Sequence, residues 1–355
     1  MDTLVKDVVL EIFKFLFVCE ILIMGRINKH FLKITRNNVL PQTFSTGKIL
    51  LMQHILAKHD FESYDFIRTI GDDDLQILRN KMGSNNIKFT ICPYINNGSN
   101  TLKRFNNISF VNCHNLSNKL FENLSGCKSL KFSYCNITDE GLSLVKNCHK
   151  LKILHCDNIK GYGLTKLNCH YLDISYFSYP IDEHLKNLNC NKLNLAGCKE
   201  LTDVGLKNLK YFDYIDISMC DKITDQGIEY LNCRKLKMGG CNKLTYTNTK
   251  NLKCIKLNVA SYLNYNHNNE TFKTFAVFKS LNLSGWSITD KDLFYVKDCE
   301  KIKLVNCVKI TETGILSLNC KKITICKCMK IIKIREIEKK LRCVINYVKS
   351  CAILN

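Results

Sequence analysis

Cysteine is the residue type with the widest range of chemistry in this sequence, and 21 of the 355 residues are cysteines. That many could form a disulfide framework, hold a set of metal ions or serve as small buried side chains. The N-terminus has no basic segment before its apolar residues, and Glu11, Lys14 and Glu20 interrupt those, so we expect no signal peptide. Since no long apolar window lacks charges or runs of Asn, we also expect no membrane span and an intracellular chain, in the cytoplasm or nucleus.

Other residue types with catalytic potential lack the spacing that catalysis requires. The sequence contains no G-x-x-x-x-G-K phosphate loop, no His-Glu-x-x-His and no G-x-S-x-G, and its nine histidines are scattered. The isolated Cys326-x-Cys328 pair is only a weak indication of a metal site. We therefore predict that the chain is not an enzyme and needs no cofactor or metal.

The charge balance is strongly basic, with a net charge of +20. Of the 52 basic residues 44 are Lys, and 38 residues are Asn, a skew that AT-rich coding produces without selection on charge. The charge alone therefore identifies no partner. A hydrophobic content of 46% with only 3 Pro is typical of a folded chain with a buried core.

A pattern of the form Cys-x-x-Leu-x-Leu-x-x-Cys, followed by Ile-Thr-Asp-x-Gly-Leu, recurs about every 21 residues. The Leu-x-Leu alternation predicts a short strand, and the threonine, as in Thr138-Asp139, predicts the cap of a short helix. Such units cannot bury their apolar faces alone, so neighbouring units must stack. With an early copy at 87–92, the twelve units begin at Phe105, Cys127, Cys148, Cys169, Cys190, Phe212, Cys233, Leu252, Phe278, Cys299 and Cys320.

These units resemble the cysteine-containing class of leucine-rich repeats, over residues 84–340. The resemblance implies an α/β solenoid with a parallel sheet on its concave face. The units here are shorter than is usual in that class, so we expect the convex side to be reduced to single helical turns.

The repeat register predicts a structural role for sixteen of the 21 cysteines. Adjacent members would lie about 4.8 Å apart with parallel side chains, an arrangement that suits neither disulfide geometry nor tetrahedral metal binding. The exceptions are Cys19, Cys254, Cys326, Cys343 and Cys351. Nine of the sixteen follow a strand (Cys92, Cys113, Cys135, Cys156, Cys198, Cys220, Cys241, Cys307, Cys328) and seven precede one (Cys127, Cys148, Cys169, Cys190, Cys233, Cys299, Cys320).

Residues 1–40 have apolar positions at helical spacing and resemble an F-box, although Val5 and Phe17 stand where that family usually has proline. The resemblance implies that this segment binds a Skp-type adaptor of a cullin ubiquitin ligase. The alternative is a helical cap that covers the end of the repeats. The residues implied in adaptor binding are Leu4, Ile12, Phe15, Leu16, Ile21, Leu22 and Phe31.

The segments that flank the repeats are expected to be helical or capping. Residues 41–83 are interpreted as a linker with helices over 48–60 and 72–82. A capping helix is expected within 331–341, followed by a basic C-terminal cap at 341–355.

The strand residues between the apolar positions face outward and form the candidate target-binding surface. Many are Lys, which favours an acidic or phosphorylated protein target, and larger side chains near the strand ends could serve as anchors. An ordinary solvated face is the alternative, and nucleic acid is a weaker third possibility. Trp286 occupies a cysteine position and is expected in the core. The candidate residues are Lys131, Tyr134, Lys152, His155, Asp173, Tyr176, Asp216, Met219, Lys237, Lys256 and Lys303.

Overall fold

The computed structural model describes residues 39–46, 60–67, 71–77, 86–98, 100–124, 126–145, 148–209, 211–260, 269–328, 330–331, 334–341 and 343–348. The chain divides into two compact units between Asp173 and Ile174. The residues expected to form the F-box, 1–38, lie outside the described residues.

The first unit is a parallel sheet with short helical segments between its strands. Its strands are β1 Val39–Thr46, β2 Asp60–Ile67, β3 Asn86–Thr90, β4 Asn107–Val111, β5 Ser129–Ser133, β6 Lys150–Leu154 and β7 Tyr171–Asp173. Its α-helices are Asp72–Ile77 and Asp139–Ser143, and its 3₁₀ segments are Asn100–Arg104, Asn118–Leu124 and Tyr162–Lys166.

The second unit repeats the same architecture, again with each strand parallel to the next. Its strands are β8 Lys192–Asn194, β9 Phe212–Asp216, β10 Cys233–Lys237, β11 Lys256–Asn258, β12 Ser280–Asn282, β13 Lys301–Val305, β14 Lys322–Cys326 and β15 Val344–Val348. Its helical segments are Asp182–Leu185, Asp203–Lys207, Asp225–Ile228, the 3₁₀ segment Thr247–Asn251, Asn269–Phe275, Asp290–Tyr295, Glu312–Leu316 and Ile334–Leu341.

The strand alternation places the core on one side of the sheet. In β6 Leu151 and Ile153 are buried, whereas Lys152 between them is half-buried and faces away from the core. The convex side of most repeats is a single helical turn, and Thr138, Thr202, Thr224 and Thr311 each accept a hydrogen bond from a backbone N–H of that turn. The predicted α/β leucine-rich-repeat solenoid with threonine-capped turns is therefore confirmed.

Seven of the nine cysteines that follow a strand are buried hydrogen-bond donors to the preceding repeat, whereas Cys135 and Cys156 donate to their own strand. Cys92 donates to the carbonyl oxygen of Phe66 (3.2 Å), and Cys241 donates to that of Ile217 (3.0 Å). Trp286, which replaces a cysteine and is buried, uses its Nε1–H in the same way toward the carbonyl of Val259 (2.6 Å). The position therefore requires a buried donor for a strand-end carbonyl, and the predicted core position of Trp286 is confirmed.

The cysteines of both series are free thiols. Fifteen of the sixteen are buried, as the structural interpretation expects, and Cys190 is half-buried. Burial raises the pKa of Cys127, Cys169 and Cys241 to about 12, so these thiols remain protonated and can act as donors at neutral pH.

The aspartate of Thr-Asp-x-Gly joins each repeat to the next. The Asp203 carboxylate accepts hydrogen bonds from the backbone N–H (2.9 Å) and the hydroxyl (2.6 Å) of Thr224. A Cβ on Gly227 would overlap that carboxylate, so the glycine leaves room for the aspartate of the preceding repeat. The same contact recurs for Asp182 with Thr202 and Gly205, and for Asp290 with Thr311 and Gly314.

Two boundary predictions need correction. Strands β1 and β2 overlap or lie within the predicted helical linker at 41–83, and β2 pairs with β3, so the sheet begins before residue 84. The strand was missed because Tyr64 stands where later repeats have leucine or isoleucine, and Thr69 stands where the cysteine after the strand would be. Similarly, β15 extends the sheet into the predicted cap at 341–355.

The predicted helices in the flanking segments have mixed outcomes. The helix predicted over 72–82 begins at Asp72, and its described part ends at Ile77. The helix predicted over 48–60 falls outside the described residues except for Asp60, which begins β2. The capping helix expected within 331–341 is present at Ile334–Leu341.

A third correction concerns the repeat register near β11. Leu257 pairs with Leu236 and Leu281, so this unit begins at Cys254 and not at Leu252. Cys254, which is buried, therefore takes the position before the strand instead of being an exception. The distance from Cys233 to Cys254 is the usual 21 residues, and the irregular length falls in the next interval.

Candidate binding surface on the exposed sheet face

The side of the sheet away from the core, here called the exposed sheet face, carries two rows of side chains. The first row holds the residue just before the first apolar position of each strand, and the second row holds the residue between the two apolar positions. In the first unit the first row is Asn86, Asn107, Ser129, Lys150 and Tyr171. The second row of that unit is Asp65, Lys88, Ser109, Lys131, Lys152 and Asp173. In the second unit the first row, from β8 to β14, is Lys192, Tyr214, Lys235, Lys256, Ser280, Lys301 and Lys322. The second row over the same strands is Asn194, Asp216, Lys237, Asn258, Asn282, Lys303 and Thr324.

The exposed sheet face of the first unit contains a groove of about 480 Å³, here called the first-unit groove. Its cations are partly neutralised by carboxylates of the same sheet. Lys88 pairs with Asp65 at 2.8 Å, and Lys152 pairs with the buried Asp173 at 3.0 Å. Lys131, which also lines the groove, has no carboxylate within ion-pair distance among the described residues.

The exposed sheet face of the second unit contains a groove of about 340 Å³ across β10–β14, here called the second-unit groove. Lys237 pairs with Asp216 at 3.5 Å, and the Asp216 carboxylate also accepts a hydrogen bond from the Tyr214 hydroxyl at 2.9 Å. The charged residues that line the second-unit groove are all lysines: Lys235, Lys237, Lys256, Lys301, Lys303 and Lys322.

The two predicted acidic positions are engaged within the protein. Asp173 and Asp216 are 3% and 6% exposed, and each has a lysine and a tyrosine hydroxyl as partners. These buried carboxylates therefore hold neighbouring lysine and tyrosine side chains in place, and the lysines are more accessible to a target than the carboxylates are.

The predicted anchors lie at the ends of the strands in left-handed backbone conformation. The φ angle is 52° at Tyr134 and His155, and 59° at Tyr176 and Met219. Side chains other than glycine rarely adopt this region, because it costs about 1–2 kcal/mol per residue. Tyr134 stacks on His155 with ring centroids 4.6 Å apart, and Tyr134 is 51% exposed. The stacked pair therefore forms an exposed aromatic surface in the first unit.

In the second unit the anchors alternate with glycines. The ring of Tyr176 lies over Gly197, and the side chain of Met219 lies near Gly240. Both anchors are nearly half exposed. The glycines thus leave room for large side chains from the preceding repeats, and Tyr176 and Met219 are held apart instead of forming one patch.

Sequence reasoning misplaced one candidate and missed the four other first-row lysines that line the two grooves. Lys256 is a first-row residue, opposite Lys235, because of the register correction at β11. The missed residues share a recognisable signal, a lysine directly before the first apolar residue of the strand. Because side chains two positions apart in a strand face the same side, such a lysine lies on the same face as the residue between the two apolar positions. They are Lys150, Lys235, Lys301 and Lys322.

None of the described helices is long and apolar enough to cross a bilayer. Within the described residues, no three His, Cys, Asp or Glu side chains gather in a way that could hold a metal ion.

Comparison with known proteins identifies the repeats. A family model described as Leucine Rich repeat matches residues 128–145 and 186–210, and no curated protein matches the chain. Similar solved structures include a chain of the yeast Rad7 and Elc1 complex, with a TM-score of 0.36 and 15% identity, covering 74% of this chain and 81% of that chain.

Two further structures are similar over a larger part of this chain. One is a chain of the Drosophila Toll–Spatzle complex, with a TM-score of 0.44, 10% identity and coverage of 81% of this chain and 50% of that chain. The other is a chain of the TLR13–ssRNA13 complex, with a TM-score of 0.44, 14% identity and coverage of 90% and 53%. This chain spans about half the length of those two, and the likeness supports no statement about partners. The family model thus finds leucine-rich repeats in two segments of the chain, and the strand-and-turn units around them have the α/β solenoid fold.

Proposed function

We propose that this chain is a substrate-recognition adaptor of a cullin-type ubiquitin ligase. It would hold a target protein on the exposed sheet face and bind a Skp-type adaptor through residues 1–40. Ubiquitin transfer would belong to partner subunits, and this chain would contribute by bringing the target close to the reacting groups.

The observation that carries the recognition role is the chemistry of the exposed sheet face. It combines two grooves lined by lysines with exposed side chains at Tyr134, Tyr176 and Met219. Interfaces commonly pair a few large anchors with charged groups that select the partner. A protein with an acidic surface is therefore the target class that suits this face best.

The adaptor role rests on the F-box resemblance of the sequence and on its position before the repeats. Apolar residues of the first predicted helix, Ile12, Phe15 and Leu16, would lie on one face, with Glu11 and Lys14 on the other. The apolar face would bind or support the adaptor surface.

The test is capture of a purified Skp-type adaptor by the full-length chain. We expect the wild type to retain the adaptor and the Phe15→Ala, Leu16→Ala double variant to lose at least about tenfold in affinity, since each buried anchor contributes more than about 1 kcal/mol. Lys14→Ala, on the opposite predicted face, is the matched control and should bind normally. Retention at background level by the wild type would refute the adaptor role.

The alternative is an interaction scaffold in which residues 1–40 only cap the repeats. The first described strand, β1, pairs with β2, and terminal repeats of such arrays need a cover. Deletion of residues 1–40 should then lower the melting temperature and the solubility while capture of the adaptor is absent from the start.

A further inference from the structure

The second-unit groove concentrates positive charge in an ordered arrangement. Lys235, Lys256, Lys301 and Lys322 lie in the first row, and Lys237 and Lys303 lie in the second row. Adjacent parallel strands are about 4.8 Å apart, so the groove from β10 to β14 spans about 19 Å. An extended peptide of about six residues has the same length.

Most of this charge has no carboxylate partner within the described part of the protein. In the first-unit groove two lysines have carboxylate partners at 2.8 and 3.0 Å, whereas in the second-unit groove only Lys237 has one, at 3.5 Å. Burial, followed by repulsion from the nearby cations Lys256, Arg234 and Lys192, lowers the pKa of Lys235, whereas the Asp213 carboxylate raises it. An anionic ligand would relieve that repulsion.

The neutral residues of the groove are arranged as donors. The Asn258 carbonyl oxygen accepts the backbone N–H of Ala260 (2.9 Å), and the Asn282 carbonyl oxygen accepts from the backbone (3.2 Å) and hydroxyl (2.6 Å) of Ser284. These contacts leave the amide NH₂ groups of both residues for a ligand. The groove therefore offers ammonium and amide donors, which suit side-chain carboxylates and main-chain carbonyl oxygens.

The distribution of the donors favours a chain of carboxylates over other anions. The cations are lysines spread over four strands, β10, β11, β13 and β14, and do not converge as an arginine fork on one point, which is the arrangement that suits a single phosphate group. Single-stranded nucleic acid is bound largely by stacking on aromatic side chains. The one aromatic ring that lines the groove, Tyr214, is held by Asp216 and lies 5.8 Å from the Lys237 ammonium.

We propose that the second-unit groove binds an extended, aspartate- and glutamate-rich segment of a protein, about six residues long. The lysines of the two rows pair with its carboxylates, and the amides of Asn258 and Asn282 donate to its main-chain carbonyl oxygens. The proposal deepens the proposed recognition role of the exposed sheet face and names the class of segment that it recognises.

The experiment measures binding of a fluorescein-labelled ten-residue peptide of alternating Asp and Glu to the full-length chain by fluorescence anisotropy. The triple variant Lys256→Gln, Lys301→Gln, Lys322→Gln should bind about tenfold more weakly, since each exposed ion pair contributes roughly 0.5 kcal/mol. The control Lys243→Gln, Lys291→Gln, Lys309→Gln has the same net charge and alters exposed lysines outside the groove, so it should change affinity less than about twofold.

Further arms identify the ligand class. An Asn and Gln peptide of the same length should not bind, and a singly phosphorylated neutral peptide and oligouridine should bind more weakly than the acidic peptide. Tighter binding of either competitor, equal losses in both triple variants, or no binding of the acidic peptide would overturn the proposal. No ligase component is present in this assay, so its failure is independent of whether residues 1–40 bind a Skp-type adaptor.

Discussion

The contact between Asp203 and Thr224 allows a quantitative test of how neighbouring repeats are joined. Asp203→Ala removes an acceptor that receives two hydrogen bonds, at 2.9 and 2.6 Å. Hydrogen bonds to charged groups contribute about 1.5–3 kcal/mol each, and water can replace part of the loss because both residues are half-buried. We therefore expect a loss of about 1–3 kcal/mol in the free energy of unfolding.

Gly227, in the repeat after Asp203, provides a second perturbation, and its cost depends on whether the Asp203 carboxylate is present. Gly227→Ala in the wild type would push a methyl group into the Asp203 carboxylate, so we expect a loss of about 1–3 kcal/mol. In the Asp203→Ala background the carboxyl carbon and oxygen are gone, and only the Cβ at 3.0 Å remains close. Because alanine is otherwise favoured over glycine in a helix by roughly 0.5–1 kcal/mol, the second substitution should then cost little.

The assay is urea unfolding of the four proteins of this double-mutant cycle. Far-UV circular dichroism and the fluorescence of Trp286, the single Trp of the chain, should give coincident transitions, since Trp286 lies in the same unit as Asp203. We expect a coupling energy of about 1–2 kcal/mol. Glu229→Ala, at an exposed acidic residue directly after the helix that contains Gly227, is the control and should change the free energy of unfolding by less than about 0.5 kcal/mol. Additive effects, or a loss for Asp203→Ala no larger than that of the control, would refute the reasoning.

Two further predictions concern the sheet and the cysteines. Lys152→Met should lower the free energy of unfolding by about 1–2 kcal/mol because it leaves the buried Asp173 carboxylate without its 3.0 Å cation, whereas Lys131→Met in the same row should have little effect; equal urea midpoints would contradict this. Since burial raises the pKa of Cys127, Cys169 and Cys241 to about 12, from an ordinary value of 9.0, these thiols should resist iodoacetamide at pH 8 in the folded protein and react in urea, as followed by peptide mass spectrometry. The same shifts imply that the contribution of these thiols to the free energy of unfolding is complete below pH 9 and declines as the pH rises from 9 toward 12, because the thiols of the unfolded state lose their protons first. Equal urea midpoints at pH 8 and pH 10.5 would contradict that sign.

Much of the fold could be predicted because each repeat contains its own structural signals. The 21-residue period, the Leu-x-Leu alternation and the capping threonines act within one or two units, so they are recognisable without tertiary information. Prediction failed where those signals are substituted. At β2 Tyr64 takes the first apolar position and Thr69 the place of the cysteine after the strand, and near β11 an irregular interval after Cys254 allowed a register two residues too early.

The candidate site was less predictable, because its chemistry depends on contacts between residues of different repeats. The outward direction of the middle strand residues follows from the pleat of a strand, so the exposed lysines of the second row could be anticipated. The first-row lysines follow from the same pleat but were overlooked, and Lys256 was assigned to the wrong row because one register error moves a residue along the strand.

By itself the sequence determined the repeat class, the strand and turn positions of most repeats and the buried role of the cysteines, because these depend on periodic local patterns. Only the tertiary structure decided which partners those residues have. It brought the Asp203 carboxylate to the hydroxyl of Thr224 and gave most of the cysteines that follow a strand a carbonyl acceptor in the preceding repeat, as Ile217 is for Cys241. It also decided that Lys152 is paired with a carboxylate while Lys256 and Lys301 have none among the described residues. An ion pair depends on the register of neighbouring strands and on side-chain reach, and neither is encoded within a single repeat.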